Sequence, residues 1–376
     1  MLRQGLGPFQ PVRQLTVRQS AGPPVRTIDL LGYRVSWKET DPEFSMRSAS
    51  GVRFGHLTSL RVIEADSVEL VLRSGEVLQL EGGSTDLGGS IRELLVEVPD
   101  RGEVELEWSD LDRVVFSAVP RGARAAARRL YGTVEDRDGN RYTGYVSWDL
   151  DEILASDELD GEERRGGRDR SIRFGDIASI ERVPGGARVS LVDGGQLDLT
   201  NNRDVSRRNR GIQISDPALG MVEVEWREFR ILRFHDADVV VGYDAFDGGH
   251  PLVGTVVTES GEEIDGVIRW DADEAGSWEF LNGRADDVVF TVEFSQVSRI
   301  VRGGAVGVTV TLLDGRTFGL DDSSDVDWDN RGILITPEGR SVGNREDGSR
   351  WRVIPWDEFQ EVRFRHDSNA DGSGRE

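Results

Sequence analysis

Apolar and polar residues alternate along most of this chain with a period of two. Val222-Glu223-Val224-Glu225-Trp226, Leu197-Asp198-Leu199 and Ile212-Gln213-Ile214 each place every second side chain on one face. That is the signature of half-buried antiparallel strands. The runs are short, and turn signals at Arg73-Ser74-Gly75, Asp193-Gly194-Gly195 and Asp314-Gly315 punctuate them. Three stretches, 51–116, 171–234 and 291–364, share one layout. Each opens on an apolar series read here as a strand: Phe54, Leu57, Leu60; Phe174, Ile177, Ile180; Phe294, Val297, Ile300. Each ends on a tryptophan with a large apolar residue three positions on, in the pairs Trp108 and Leu111, Trp226 and Phe229, Trp356 and Phe359. A short 3₁₀ turn is predicted at that closing step.

A second pattern precedes the later two stretches. Gly132-Thr133-Val134 leads through Gly144 to Trp148-Asp149, and Gly254-Thr255-Val256 leads through Gly266 to Trp270-Asp271, with corresponding residues 122 positions apart. Two fainter strands at 13–19 and 25–37 occupy the matching place near the start. The chain therefore reads as all-β, in three tandem repeats of two halves each. In strand number and turn placement each half resembles a small SH3-like or Sm-like antiparallel barrel, in which closure removes exposed edges. The expected organisation is a loose terminus at 1–12, repeats at 13–116, 131–234 and 252–364, connectors at 117–130 and 235–251, and a disordered tail at 365–376. The first connector, rich in alanine and arginine, is expected to be a short helix or a linker.

Composition narrows the partners. With 46 basic and 69 acidic residues the net charge is −23, so Coulomb repulsion argues against nucleic acid or an anionic membrane as partner. A cation or a basic protein suits such a surface. There is no cysteine, which removes disulfides and thiol chemistry together. No run is long and apolar enough to predict a membrane span. No signal peptide is visible, so the expected location is the cytoplasm, or outside it after removal of an unseen leader.

Two motifs carry candidate chemistry. The first is the acidic turn after the hairpin tryptophan, with Asp149, Asp151 and Glu152 in one copy and Asp271, Asp273 and Glu274 in the other. Alternating carboxylates at a strand end suit a hard cation such as Ca²⁺; they also suit a solvated turn. The second is Asn209-Arg210-Gly211, repeated as Asn330-Arg331-Gly332. Asn and Gly favour a tight bend there. The arginine is expected to pin the loop by pairing with the preceding Asp204 or Asp325, or else to clamp a carboxylate or phosphate ligand. The segment from Asp367 begins like a calcium loop but lacks the glutamate such a loop requires at its twelfth position. Trp108, Trp226 and Trp356 are expected in the core, and Trp278, Trp328 and Trp351 at the surface.

The four histidines show no ligand spacing, and no phosphate loop, nucleophile elbow or zinc helix occurs. The expectation is a non-catalytic interaction or scaffold protein whose repeated units bind another macromolecule, a protein before others. The alternative is an extracytoplasmic cation- or carbohydrate-binding module that uses the acidic turns.

Overall fold

The computed structural model describes residues 11–16, 25–30, 33–38, 49–81, 88–89, 91, 94–98, 102–118, 128–216, 219–237, 242–303, 307–337 and 351–366. Among these the fold is all-β, and the helical elements are five 3₁₀ turns of three residues. Among the described residues no helix is long and apolar enough to cross a membrane. The expected helix over 117–130 and the tail motif from Asp367 lie largely or wholly outside the described residues. The chain divides into two compact units: Met1–Gly248 with Asp286–Val289, and Gly249–Ala285 with Phe290–Glu376.

The first unit holds two larger sheet systems beside three two-stranded pairs. One is four-stranded, in the order Arg113–Val115, Leu57–Glu64, Ser67–Leu72, Val77–Glu81. In the other, the closing strand Phe229–Phe234 lies between Ile177–Val183 and the opening strand Tyr131–Asp136. The opening strand hairpins with Arg141–Ser147, which then pairs with Ile212–Asp216. In the second unit, the same relations join Phe359–Phe364 to Val297–Arg302 and Val253–Thr258, and join Glu263–Arg269 to Ile333–Pro337.

These pairings correct the expected division into barrels. No sheet among the described residues closes on itself. The two halves are not separate either, because first-half strands find their partners in the second half. Near the N-terminus the stretch predicted as a single strand at 25–37 is a hairpin of Val25–Leu30 with Tyr33–Lys38. The strand Pro11–Thr16 pairs with Ala49–Arg53 instead of with that hairpin.

The Phe-x-x-Ile-x-x-Ile series is a further correction. Its spacing is three, and a strand of period two would throw alternate members to opposite faces. The first step is a 3₁₀ turn, Phe54–His56, Phe174–Asp176 or Phe294–Gln296, in which three residues make one turn. The second step crosses a β-bulge, found at Leu57/Ser59, Ile177/Ser179 and Val297/Arg299. The extra residue restores the phase. Ile177 and Ile180 accordingly both face the core, as do Val297 and Ile300. The 3₁₀ turn expected at the closing tryptophan exists at Trp108–Asp110. At Trp226 its place is taken by a turn in which Phe229 N–H donates to Glu225 O.

The core of each later module is aromatic. Trp148 is fully buried and meets Phe229 edge-on at 5.3 Å and Trp226 at 6.1 Å; Trp270 meets Phe359 and Trp356 at the same two distances. Such edge-to-face pairs add to the area they bury. Trp108, Trp226 and Trp356 are buried, and Trp328 is exposed. Trp278, expected at the surface, is buried against Gly249 and Gly276. The recurrent glycines are steric requirements: a Cβ on Gly144 would stand 2.2 Å from Ser215 O, and one on Gly266 would stand 2.2 Å from Thr336 O.

Candidate functional site

The acidic turn and the Asn-Arg-Gly loop, separate in sequence, form one cluster of buried charges in each of the two later modules. Trp148 to Asp151 is a tight hairpin turn closed by Asp151 N–H on Trp148 O. Its central residues, Asp149 and Leu150, take φ of 47° and 64°. Asp271 and Ala272 do the same at 44° and 63°. Left-handed backbone at Leu or Ala costs about 1–2 kcal/mol, so surrounding contacts must hold it in place.

Those contacts come from the distant loop. Asp149, which has no exposed surface, accepts the Arg210 backbone N–H at 2.6 Å and the Arg210 guanidinium at 3.1 Å and 3.3 Å. Asp271 accepts the Arg331 N–H at 2.5 Å and its guanidinium at 3.1 Å. Each arginine also touches the second acid of the turn, Asp151 or Asp273. The partner expected from sequence, the preceding aspartate, is therefore wrong in both copies. Asp204 and Asp325 instead receive backbone N–H groups, from Asp160 at 2.8 Å and Asn282 at 2.7 Å. Their own carbonyls accept the buried indole N–H of Trp148 or Trp270 and the side-chain amide of Asn209 or Asn330. Asn209 and Asn330 then accept the N–H of Gly211 and Gly332 at 3.0 Å and 2.9 Å, the bend that sequence assigned to this motif.

So much acid in a dry place perturbs its protonation. Burial, with Asp151 beside it, pushes the Glu152 carboxyl up to about 9. Burial and the charges of Asp325, Asp273 and Glu279 hold Glu274 well above the usual carboxylate range. Burial lifts Asp325 to about 7 and Asp271 to about 6, the latter against the opposing pull of Arg331. The oxygens of Asp149, Asp151 and Glu152 lie within 4.8 Å of one another, as do those of Asp271, Asp273 and Glu274. The six acids named from sequence are thus gathered into two triads. Arg210 and Arg331 belong to the same pockets as internal counter-charges.

Sequence reasoning missed Arg203, whose Nε stands 2.5 Å from Asp149 Oδ2. It also missed a clasp in the first module. There the 3₁₀ turn Tyr243–Ala245 and the residues after it pack on the turn Phe54–His56 and the hairpin tip at Arg73. Arg73 donates to the carbonyls of Tyr243, at 2.5 Å, and Phe246, and its guanidinium lies 4.4 Å over the Tyr243 ring. Tyr243 Oη donates to Leu57 O at 2.5 Å, and Ser74 Oγ donates to Gly248 O at 3.0 Å. Phe246 meets His56 edge-on at 4.9 Å and covers Gly55, where a Cβ would stand 2.4 Å from its ring. A signal was present in the sequence: Arg73 occupies the hairpin-tip position held by Val192 and Leu313 in the other copies, and all three residues make the same backbone bond to the preceding 3₁₀ turn.

Comparison with known protein families, with curated proteins and with solved structures gave no match.

Proposed function

We propose that this chain is a non-catalytic interaction protein whose β modules capture short aromatic segments of another protein. The observation that carries the reading is the clasp of the first module, where Arg73, Ser74, Leu57 and the face of Gly55 hold Tyr243–Gly248. Its chemistry is that of segment recognition. Arg73, Ser74 and Leu57 engage carbonyls and a phenol, which fixes the backbone of a short turn, while the contacts of Arg73 with the Tyr243 ring and of His56 with Phe246 select aromatic side chains. Tethering keeps the segment at high effective concentration, so a modest intrinsic affinity suffices to hold it.

The test uses the full chain with Tyr243 and Phe246 replaced by alanine, which frees the face, and a fluorescent peptide spanning 242–248. The peptide is expected to bind the double variant and to bind wild type at least tenfold more weakly, because the tethered copy competes. Adding Arg73→Ala to the double variant should abolish binding while the far-ultraviolet circular dichroism stays unchanged. If the folded double variant ignores the peptide, the segment-capture reading is wrong.

A further inference from the structure

The two acid pockets share a skeleton and differ in counter-charge. Asp149 is met by two guanidiniums, those of Arg203 and Arg210. The residue in Arg203's place in the later copy is Ser324, and Arg331 is the arginine that pairs with Asp271 and Asp273. The acids there are also more deeply enclosed: Asp271, Asp273 and Glu274 are 2%, 4% and 7% exposed, whereas Asp151 and Glu152 are half-buried. Glu279 stands in the place of Asp157, which brings a further carboxylate to bear on Glu274. Inside this pocket, Glu274 Oε2 has no surface and no hydrogen-bond donor, and Arg331 meets Asp273 Oδ1 as an ion contact without hydrogen-bond alignment. Glu152 Oε2 also lacks a donor, but its triad already holds the second arginine, on Asp149.

We propose that the cluster of Asp271, Asp273 and Glu274 is a divalent-cation site, left one counter-charge short by Ser324 in the place of the second arginine. Three carboxylate oxygens lie within 4.8 Å of one another. An ion bonded to each at about 2.3–2.6 Å, the Ca²⁺ range, fits that spread, and Ca²⁺ tolerates irregular oxygen geometry better than Mg²⁺ does. The Arg331 side chain is 38% exposed, so its guanidinium can turn to solvent as the ion takes Asp273 Oδ1. Its backbone N–H keeps hold of Asp271. The copy with Arg203 is the internally neutralised form of the same pocket.

The experiment is calorimetric titration and thermal denaturation of the full chain with CaCl₂ or MgCl₂ in 0.15 M NaCl, which suppresses loose association with the acidic surface. One Ca²⁺ per chain is expected, with Mg²⁺ weaker and with a melting temperature that rises with calcium concentration. Ser324→Arg should weaken binding by at least about tenfold by supplying the missing guanidinium, and Glu274→Gln should do the same by removing a ligand charge, by analogy with losses at metal sites. Val192→Ala, an exposed change at a hairpin tip of the other copy, should leave it unchanged. Two results would overturn the proposal. One is absence of a saturable site in the folded wild type, which would mean that a shared proton alone satisfies Asp273 and Glu274. The other is binding that survives both Ser324→Arg and Glu274→Gln.

Discussion

Replacing Asp149 tests whether the ionic wiring of the pocket holds the fold or merely decorates it. Asp149→Ala removes the acceptor of the Arg210 N–H, a charge-assisted bond of 2.6 Å whose loss costs roughly 1.5–3 kcal/mol. It places alanine at a φ of 47°, which costs about 1 kcal/mol more than aspartate there. It also releases the guanidiniums of Arg203 and Arg210, but their side chains are 48% and 41% exposed and rehydrate, so those contacts count for about 0–1 kcal/mol each. The expected total is about 2.5–6 kcal/mol. Asp149→Asn keeps an oxygen for the N–H and a side chain that tolerates left-handed backbone, and forfeits only the charge, so roughly 1–2 kcal/mol is expected. The measurement is urea denaturation of both variants followed by near-ultraviolet circular dichroism, comparing midpoints at equal slope. Equal losses for the two, within about 0.5 kcal/mol, would refute the assignment of the main contribution to the N–H bond and the turn.

Other consequences follow from the same geometry. Glu152 binds its proton more tightly folded than unfolded, so its contribution is fully present below the unfolded value near 4.5 and is lost as pH rises toward about 9. Thermal melts should therefore show Glu152→Gln gaining on wild type as pH is raised from 5 to 8, and a constant difference would contradict the shift. Gly144→Ala must displace Ser215 O, 2.2 Å from the new Cβ, and should cost roughly 3 kcal/mol or more in the same urea assay. Trp270→Phe removes the indole N–H from Asp325 O, a bond of 2.8 Å, and leaves a small cavity; a loss of about 2–4 kcal/mol is expected by calorimetry. Phe246→Ala should speed amide exchange at Arg73, whose N–H bonds His56 O beneath the clasp, without changing exchange at Val192.

The elements legible in the sequence were those that local chemistry dictates. Alternation in Val222 to Val224 and in Ile212 to Ile214 gave strands because one face of each is buried, whereas Trp226, in the same phase, already lies in the turn that follows. Glycine marked the hairpin tips at Gly75, Gly194 and Gly315, where φ is near 90°. What stayed hidden was non-local. A spacing of three in Phe174, Ile177 and Ile180 looks like a strand until the bulge is known, and a bulge is defined by a partner strand. The barrel division failed for the same reason: the partner of Arg141–Ser147 lies some 70 residues on, and no periodicity in either strand names it. At the site, both motifs were visible as motifs. Their union was not, because Arg210 has an acid close by in sequence, Asp204, yet bonds the one 61 positions away.

That long-range bond explains why the skeleton of the pocket is common to both modules while its charges differ. The acidic turn follows the strand Arg141–Ser147, and the Asn-Arg-Gly loop leads into Ile212–Asp216; these strands pair with each other. A bond from Asp149 to Arg210 N–H ties the two at the end of their ladder. A slip of one residue would break it and turn every buried side chain outward. Trp148 on Asp204 O adds a second tie from the core side. The acid on the N–H and the tryptophan on the carbonyl are therefore structural parts of the fold and recur at Asp271 and Trp270. Arg203 or Ser324 takes no part in those ties, so that position is free to change the pocket's charge without moving the strands. A ligand preference that rests on charge can therefore differ between the two modules there without a change of register.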